Sequence, residues 1–216
     1  MSSLLKTQNQ LSPTKAEFTR MAEHFYGYGR WDAPYRFIGP EPGRTRTDDN
    51  LELRYLSWKS LEFRSLVDCA AHHRGIPLTK WHQPHPPTQP TWRRLIRLLL
   101  SRKGEPTDIE TICAYQKENW GRSTGETCVI KLSGLASPNL KTRRDRAKFL
   151  AGRIERICEE ARVRSPEFII ICGAGQRDSW ERTAGAQFDS NGICREGKTV
   201  AAIACDPVAR GLNNEY

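Results

Sequence analysis

Two carboxylates and a hydroxyl follow apolar stretches of the chain, where a sheet would bring them together. Glu41 follows the run at residues 35–39, Ser133 lies near the end of the run at 126–135, and Asp206 follows the run at 200–205. A carboxylate held at such a position can orient or deprotonate a water molecule and stabilise positive charge in a transition state. An ordinary turn with a solvated glutamate is the alternative interpretation of Glu41, and this segment favours neither.

The loop that carries Glu41 is rigid. In the run Gly39-Pro40-Glu41-Pro42-Gly43, each proline fixes φ and each glycine allows a close backbone approach. Ligands of α/β sheets bind beyond the carboxyl ends of the strands. We therefore predict that this loop borders a substrate site.

The elements that must position these residues alternate between strands and helices. Apolar runs predict four strands, at residues 35–39, 126–135, 168–172 and 200–205. Periodicity and capping residues predict helices at residues 14–25, 51–73, 92–103, 108–120, 145–162 and 179–184. Continuous apolar strands separated by helices indicate a parallel sheet buried on both faces. The prediction is an α/β fold, a three-layer α/β/α sandwich with a central, mostly parallel four-stranded sheet.

The length and charge of the chain restrict its partners. Its 216 residues suit one domain, at residues 16–216, after a disordered segment at 1–15. An excess of 34 Lys and Arg over 25 Asp and Glu, a net charge of +9, favours a polyanionic partner such as nucleic acid or an anionic membrane surface. No apolar run approaches the roughly 20 residues of a membrane span, and a signal-peptide pattern is absent. We expect a cytoplasmic monomer that binds DNA and no membrane, associated with the nucleoid if the source is bacterial.

The cysteines and histidines predict no metal site. Seven cysteines without a Cys-x-x-Cys pair argue against a zinc ribbon, an iron–sulfur cluster and a disulfide scaffold, and favour buried reduced thiols. His72, His73, His82 and His85 allow a metal interpretation, but their proline-rich surroundings favour a rigid surface loop. We predict neither a metal nor a cofactor.

Basic and aromatic residues supply candidate contacts. Arginine-rich stretches at 92–103 and 139–148 form either solvated faces or phosphate contacts. Tyr28 and Trp31 lie in a glycine-rich loop that either lines a pocket or covers one end of the sheet. The predicted DNA contacts are Arg44, Arg143, Arg144 and Arg210.

Several common nucleotide and hydrolase motifs are absent, and a different resemblance remains. The dinucleotide fingerprint, the phosphate loop and the Gly-x-Ser-x-Gly elbow do not occur. The segment 37–43 resembles the first motif of the uracil-DNA glycosylase superfamily, a strand ending in Gly-x-Asp/Asn/Ala/Glu-Pro-aromatic/Gly. Residues 166–173 are similar to its third strand. Asp206-Pro207-Val208-Ala209 lies where its second motif, His-Pro-Ser/Ala, would fall.

This resemblance implies a base flipped into a pocket at the strand ends and hydrolysis of its N-glycosidic bond without metal. It gives Glu41 the water-orienting role and Asp206 the second catalytic position, and it places Gly39, Pro40, Gly43 and Ser133 around the base, with Tyr28 and Trp31 beside the site. Ser133 stands where the family has a uracil-reading Asn, and Asp206 where it has a His. An ionised aspartate would repel uracil O2 but can accept from a cytosine amino group.

Gly43 replaces an aromatic residue that, in the uracil enzymes, covers pyrimidine C5. The predicted substrate is therefore a damaged or modified pyrimidine, such as a C5-substituted cytosine of phage DNA, or uracil. The predicted activity is that of a monofunctional DNA glycosylase. A non-catalytic DNA-binding module that kept the fold is the main alternative. A nucleotide-metabolising hydrolase is a further one, although a small substrate does not require a charge of +9.

Overall fold

A computed structural model describes residues 12–39, 49–135, 146–172, 178, 181, 193–196 and 199–204. The strands are β1 (Gly27–Tyr28), β2 (Tyr35–Gly39), β3 (Leu66–Val67), β4 (Thr127–Lys131), β5 (Phe168–Cys172), β6 (Ile193–Glu196) and β7 (Thr199–Ala204). The helices are α1 (Lys15–His24), α2 (Asp49–Ser60), α3 (Cys69–Arg74), α4 (Pro90–Lys103), α5 (Ile109–Glu118) and α6 (Arg146–Arg164), with a short 3-10 helix at Thr79–His82.

The strands form one seven-stranded sheet in the order β3-β1-β4-β2-β5-β7-β6. The four predicted strands are β4, β2, β5 and β7; they are adjacent and all parallel, which confirms an α/β fold with a parallel core. The prediction of only four strands is wrong. Antiparallel β1 and β6 flank this core, and β3 pairs in parallel with β1. These three strands have two to four residues each, too few to show a clear period.

Helices cover both faces of the sheet because successive strand residues point to opposite sides. Phe37, Val129 and Ile170 belong to one apolar cluster, which also contains buried residues of α1 to α5. Ile38 and Ile130 belong to the other, which is closed by α6. The two clusters are the two halves of the core.

The predicted helix at 51–73 is instead two helices, α2 and α3, separated by a turn and by β3. Glu62 and Phe63 have φ values of 61° and 55°, a left-handed conformation that ends α2. The Nε1 group of Trp58 donates to the carbonyl of Arg64 at 2.7 Å and holds the turn. Leu66 and Val67 form strand β3 rather than part of a helix. Apolar residues at helical spacing could not distinguish these two structures.

The remaining predicted helices agree with the structure where it describes them. Thr14 caps α1 and forms a capping box with Glu17, and Asp108 caps α5. Residues 1–11 and most of the predicted helix at 179–184 lie outside the described residues. Within the part of the chain that the structure describes, every helix is too short or too polar to cross a bilayer.

Candidate functional site at the strand ends

The four parallel strands end side by side, and we call this side of the sheet the strand-end edge. Their last residues are Gly39, Lys131, Cys172 and Ala204. Gly39 pairs with Lys131, and Cys172 pairs with Ala204. Ile38 pairs with Ile171, so the two pairs lie at nearly the same level. Among the described site residues, Gly39 and Ser133 lie at or just beyond this edge, whereas Tyr28 and Trp31 precede β2 in the chain.

The order of the strands reverses beside β2. From β2 the chain reaches β4 on one side, and from β4 it reaches β5 on the other side of β2. In open α/β sheets such a reversal opens a crevice beyond the carboxyl ends, where ligands bind. The crevice of this sheet is expected beyond Gly39 and Cys172.

The structure describes four of the predicted site residues: Gly39, Ser133, Tyr28 and Trp31. The predicted residues Pro40, Glu41, Gly43, Arg44, Arg143, Arg144, Asp206 and Arg210 lie outside the described residues.

Ser133, two residues beyond β4, is half-buried and satisfied within its own turn. Its Oγ donates to the carbonyl of Leu135 at 3.1 Å and accepts from the Leu135 N–H at 3.2 Å. Both bonds join residues two apart, a local turn that serine commonly forms. Ser133 would have to exchange at least one of them to bind a base.

Lys131 is a residue of this edge that sequence reasoning missed. A side chain at Gly39 would place its Cβ 3.8 Å from the Lys131 ammonium, so the ammonium lies beside the last residue of β2. Burial lowers the pKa of Lys131, opposed by the nearby Cys172 and Cys69. An ammonium with a lowered pKa donates a proton more readily, and it attracts negative charge that develops near Gly39.

Arg153 of α6 holds the end of β4 against the end of α1. Its five N–H groups donate to five backbone carbonyls, at 2.6–3.0 Å. Those carbonyls belong to Ala22, Glu23, Phe25, Lys131 and Leu132. Burial lowers the pKa of Arg153 to about 10, which leaves it charged at neutral pH.

Gly134 allows this approach of β4 to α1. A Cβ at Gly134 would lie 2.2 Å from the carbonyl oxygen of Met21 and 2.8 Å from that of Phe25. Any larger residue would force the two segments apart. Gly134 and Arg153 together fix the turn that contains Ser133.

Trp31 lines a cleft of about 760 Å³ beside this turn. The cleft is lined by Arg20, Arg153 and Arg156 and by the rings of Tyr26, Trp31, Phe63 and Phe149. Glu23 is the one acidic group among the described lining residues. The Trp31 ring is held in place because its Nε1 donates to Ser65 Oγ at 3.0 Å and its ring meets Tyr26 edge to face. Trp31 borders this cleft, and its role in substrate binding stays a prediction.

Tyr28 is a core residue in this structure. It is 3% exposed, and its ring packs against Phe25, His72 and His73. Burial raises its pKa. A role in substrate binding stays a prediction for this residue.

A second group of polar atoms lies on α3 and the 3-10 helix: Cys69, His73 and His82, which we call the Cys-His-His cluster. The Cys69 sulfur lies 3.9 Å from His73 Nδ1 and 3.9 Å from His82 Nε2, and these two nitrogens are 2.9 Å apart. Cys69 and His73 are buried, and His82 is half-buried. Sequence reasoning considered the histidines without the cysteine.

Comparisons of the chain with protein-family models, with curated proteins and with solved structures each find no match. The strand-end edge offers an ammonium and a hydroxyl, and the adjoining cleft offers guanidinium groups and aromatic rings. That chemistry suits a ligand that is both anionic and aromatic.

Proposed function

We propose that the protein is a monofunctional DNA glycosylase that acts on a flipped-out damaged or modified pyrimidine at the strand-end edge. The observation that carries this proposal is the reversal of strand order beside β2. It supports the proposal because α/β sheets bind ligands beyond the strand end at such a reversal, and Glu41 follows β2 in the sequence.

The adjoining cleft supports a nucleic-acid substrate. The exposed Arg20 and Arg156 can contact phosphate, and an aromatic ring such as Trp31 gives bases a surface for stacking. The net charge of +9 also favours binding to a polyanion such as nucleic acid. A small neutral substrate would need neither feature.

In the proposed reaction, Glu41 orients the water that attacks the sugar and stabilises positive charge on it as the glycosidic bond breaks. The departing base then carries negative charge, which the Lys131 ammonium is suited to stabilise if the base lies beside Gly39. The open position at Gly43 favours a base with a C5 substituent. Asp206 is proposed as the group that accepts from a cytosine amino group.

The test is an excision assay with a panel of DNA duplexes and single strands. The panel contains uracil, 5-hydroxymethylcytosine, glucosylated 5-hydroxymethylcytosine and mismatched pairs, and abasic sites are detected by alkaline cleavage. We expect cleavable sites in at least one modified-pyrimidine substrate. Binding of all these DNAs with no cleavable site in any would contradict the proposal.

A non-catalytic DNA-binding module is the second candidate. The hydrogen bonds of Ser133 favour it, because the hydroxyl at the proposed base-reading position is already satisfied by Leu135. Such a module would bind DNA through the same arginines and leave every base in place. The excision assay distinguishes the two candidates directly.

A further inference from the structure

We propose that Cys69, His73 and His82 bind one zinc ion that ties α3 to the 3-10 helix at Thr79–His82. This site is independent of the proposed glycosylase activity. The proposal rests on the convergence of three ligand atoms from two neighbouring elements.

Local structure brings the three atoms together. Cys69 and His73 are four residues apart on α3, so they lie on the same side of that helix. The chain then turns at Gly75 and Pro77. His82, the last residue of the 3-10 helix, comes back beside His73. The His73 ring lies parallel to the Trp92 ring, at 5.7 Å, which holds its plane.

The distances suit a zinc ion. Zinc bonds of about 2.3 Å to sulfur and 2.0–2.1 Å to nitrogen, at tetrahedral angles, separate sulfur from nitrogen by about 3.6 Å and the nitrogens by about 3.3 Å. The observed separations are 3.9, 3.9 and 2.9 Å. One point can lie at bonding distance from all three atoms. The sulfur is also 4.0 Å from His73 Nε2, so the His73 ring must turn before its Nδ1 lone pair faces the ion. One thiolate and two imidazoles are also a ligand set that zinc prefers.

Each histidine binds a metal through an unprotonated ring nitrogen, and His73 Nδ1 and His82 Nε2 face each other at 2.9 Å. The Cys69 thiol would lose its proton when it binds the ion. A water molecule would complete four ligands, because the oxygens of neighbouring Asp68 already accept from Ala71, Arg122 and Ser123.

We assign the site a structural role because its backbone is anchored at the start of β4, although the Cys69 thiol lies within electrostatic range of the Lys131 ammonium. The Cys69 N–H donates to the Gly121 carbonyl, and the Gly121 N–H donates to Oγ1 of Thr127, the first residue of β4. The strand-end edge is at the other end of that strand. The ion would close the loop between α3 and the 3-10 helix, just before the proline-rich segment that leads to α4.

The test is a titration of the full chain with Co²⁺, after treatment with a chelator under reducing conditions. The expected result is one Co²⁺ per chain, with the near-ultraviolet charge-transfer band of a thiolate–cobalt bond. Cys69→Ser should abolish the band, and His82→Ala should weaken Co²⁺ binding at least tenfold. His85→Ala and Cys113→Ser are the matched controls and should behave as wild type, since His85 is exposed and Cys113 lies outside the cluster.

Melting curves of His82→Ala provide a second test if Cys69→Ser does not fold. His82 is half-buried, so its replacement is better tolerated than that of the buried Cys69. Added Zn²⁺ should raise the Tm of the wild type and of His85→Ala, and a chelator should reverse the rise. It should not raise the Tm of His82→Ala. Absence of Co²⁺ binding by the wild type, or equal binding by folded His82→Ala, would leave the 2.9 Å contact as a hydrogen bond between neutral imidazoles and overturn the proposal.

Discussion

The strand-end edge and the Cys-His-His cluster both gather polar groups, but from very different lengths of chain. The cluster uses residues 69–82 alone, on two short neighbouring helices. The strand-end edge uses strands that begin at residue 35 and end at residue 204, and it exists only when the sheet is complete. The contrast predicts that changes around the sheet impair excision while leaving metal binding intact.

The largest expected effect on the strand-end edge is a loss of substrate by Gly43→Tyr. In the proposed pocket, a tyrosine there would occupy the space of a C5 substituent, and a close-packed pocket excludes a ligand that overlaps by a few atoms. Excision of 5-hydroxymethylcytosine or its glucosylated form should be abolished, and excision of an unsubstituted base should remain. Co²⁺ binding should not change.

Gly43→Ala and a melting curve accompany that test, because any side chain at Gly43 is strained if its φ is positive. A folded tyrosine variant that still removes the bulky base would mean that the pocket lies elsewhere. The proposed roles of Ser133 and Asp206 would then lose their support as well.

The second-largest expected effect is a loss of stability in the variant Arg153→Met. Removing the guanidinium leaves five backbone carbonyls without their donors, and losing one member of a buried charged network costs roughly 3–5 kcal/mol of the free energy of unfolding. Arg156→Met is the control on the same helix. Arg156 is about half exposed and pairs with Glu160, so its loss should cost about 1 kcal/mol or less.

Urea denaturation measures both variants, with the slope m checked for constancy. In the folded fraction of Arg153→Met, excision should fall while Co²⁺ binding persists. Equal stabilities of the two variants would show that Arg153 does not hold β4 against α1.

A smaller effect is expected from Lys131→Met, which keeps the length of the side chain and removes its charge. If the ammonium stabilises the departing base, single-turnover excision should slow about tenfold or more. Lys59→Met, at an exposed position on α2, is the control and should retain the wild-type rate. An unchanged rate in Lys131→Met would remove the ammonium from the mechanism.

Apolar runs were sufficient to predict the parallel core. The strand at Phe168–Cys172 has the predicted bounds, and β2 was recognised although Arg36 interrupts its apolar pattern. The structure buries Arg36 completely, with Nη2 donating to the carbonyls of Trp31 and Glu160. A charged residue inside a strand can be buried when backbone carbonyls from other parts of the chain accept its hydrogen bonds. The local sequence pattern around Arg36 does not indicate which carbonyls will do so.

The same limit applies to the candidate sites. The positions of Lys131 and Arg153 depend on how α6 and α1 meet the sheet, which periodicity does not encode. The four-residue spacing of Cys69 and His73 was present in the sequence. The return of His82 through a 3-10 helix was not predictable, because the surrounding prolines and glycine indicate only a turn.

The smallest expected effect concerns the salt dependence of DNA binding. If Arg143, Arg144 and Arg146 contact phosphate, their replacement by alanine should weaken binding to all sequences and flatten the plot of log K against log salt by about 0.9 for each lost contact. The matched triple variant replaces Arg93, Arg94 and Arg97, which are exposed on α4.

Arg93, Arg94 and Arg97 lie on the helix that ends at the opposite end of the sheet, where Lys103 pairs with Glu126 at 2.6 Å just before β4. We therefore expect a smaller change of slope for the α4 variant. Equal changes in the two variants would mean that DNA covers both ends of the sheet. An unchanged slope for the first variant would assign its arginines to a solvated face.

The central claim is that chemistry occurs at the strand-end edge through Glu41. Its most direct test compares Glu41→Gln with the wild type in single-turnover excision of the best substrate from the panel, with DNA affinity measured at the same salt concentration. Because glutamine keeps the shape and loses the charge, the variant should bind DNA normally, bind Co²⁺ normally and form no abasic sites. Excision by Glu41→Gln at the wild-type rate would contradict the claim.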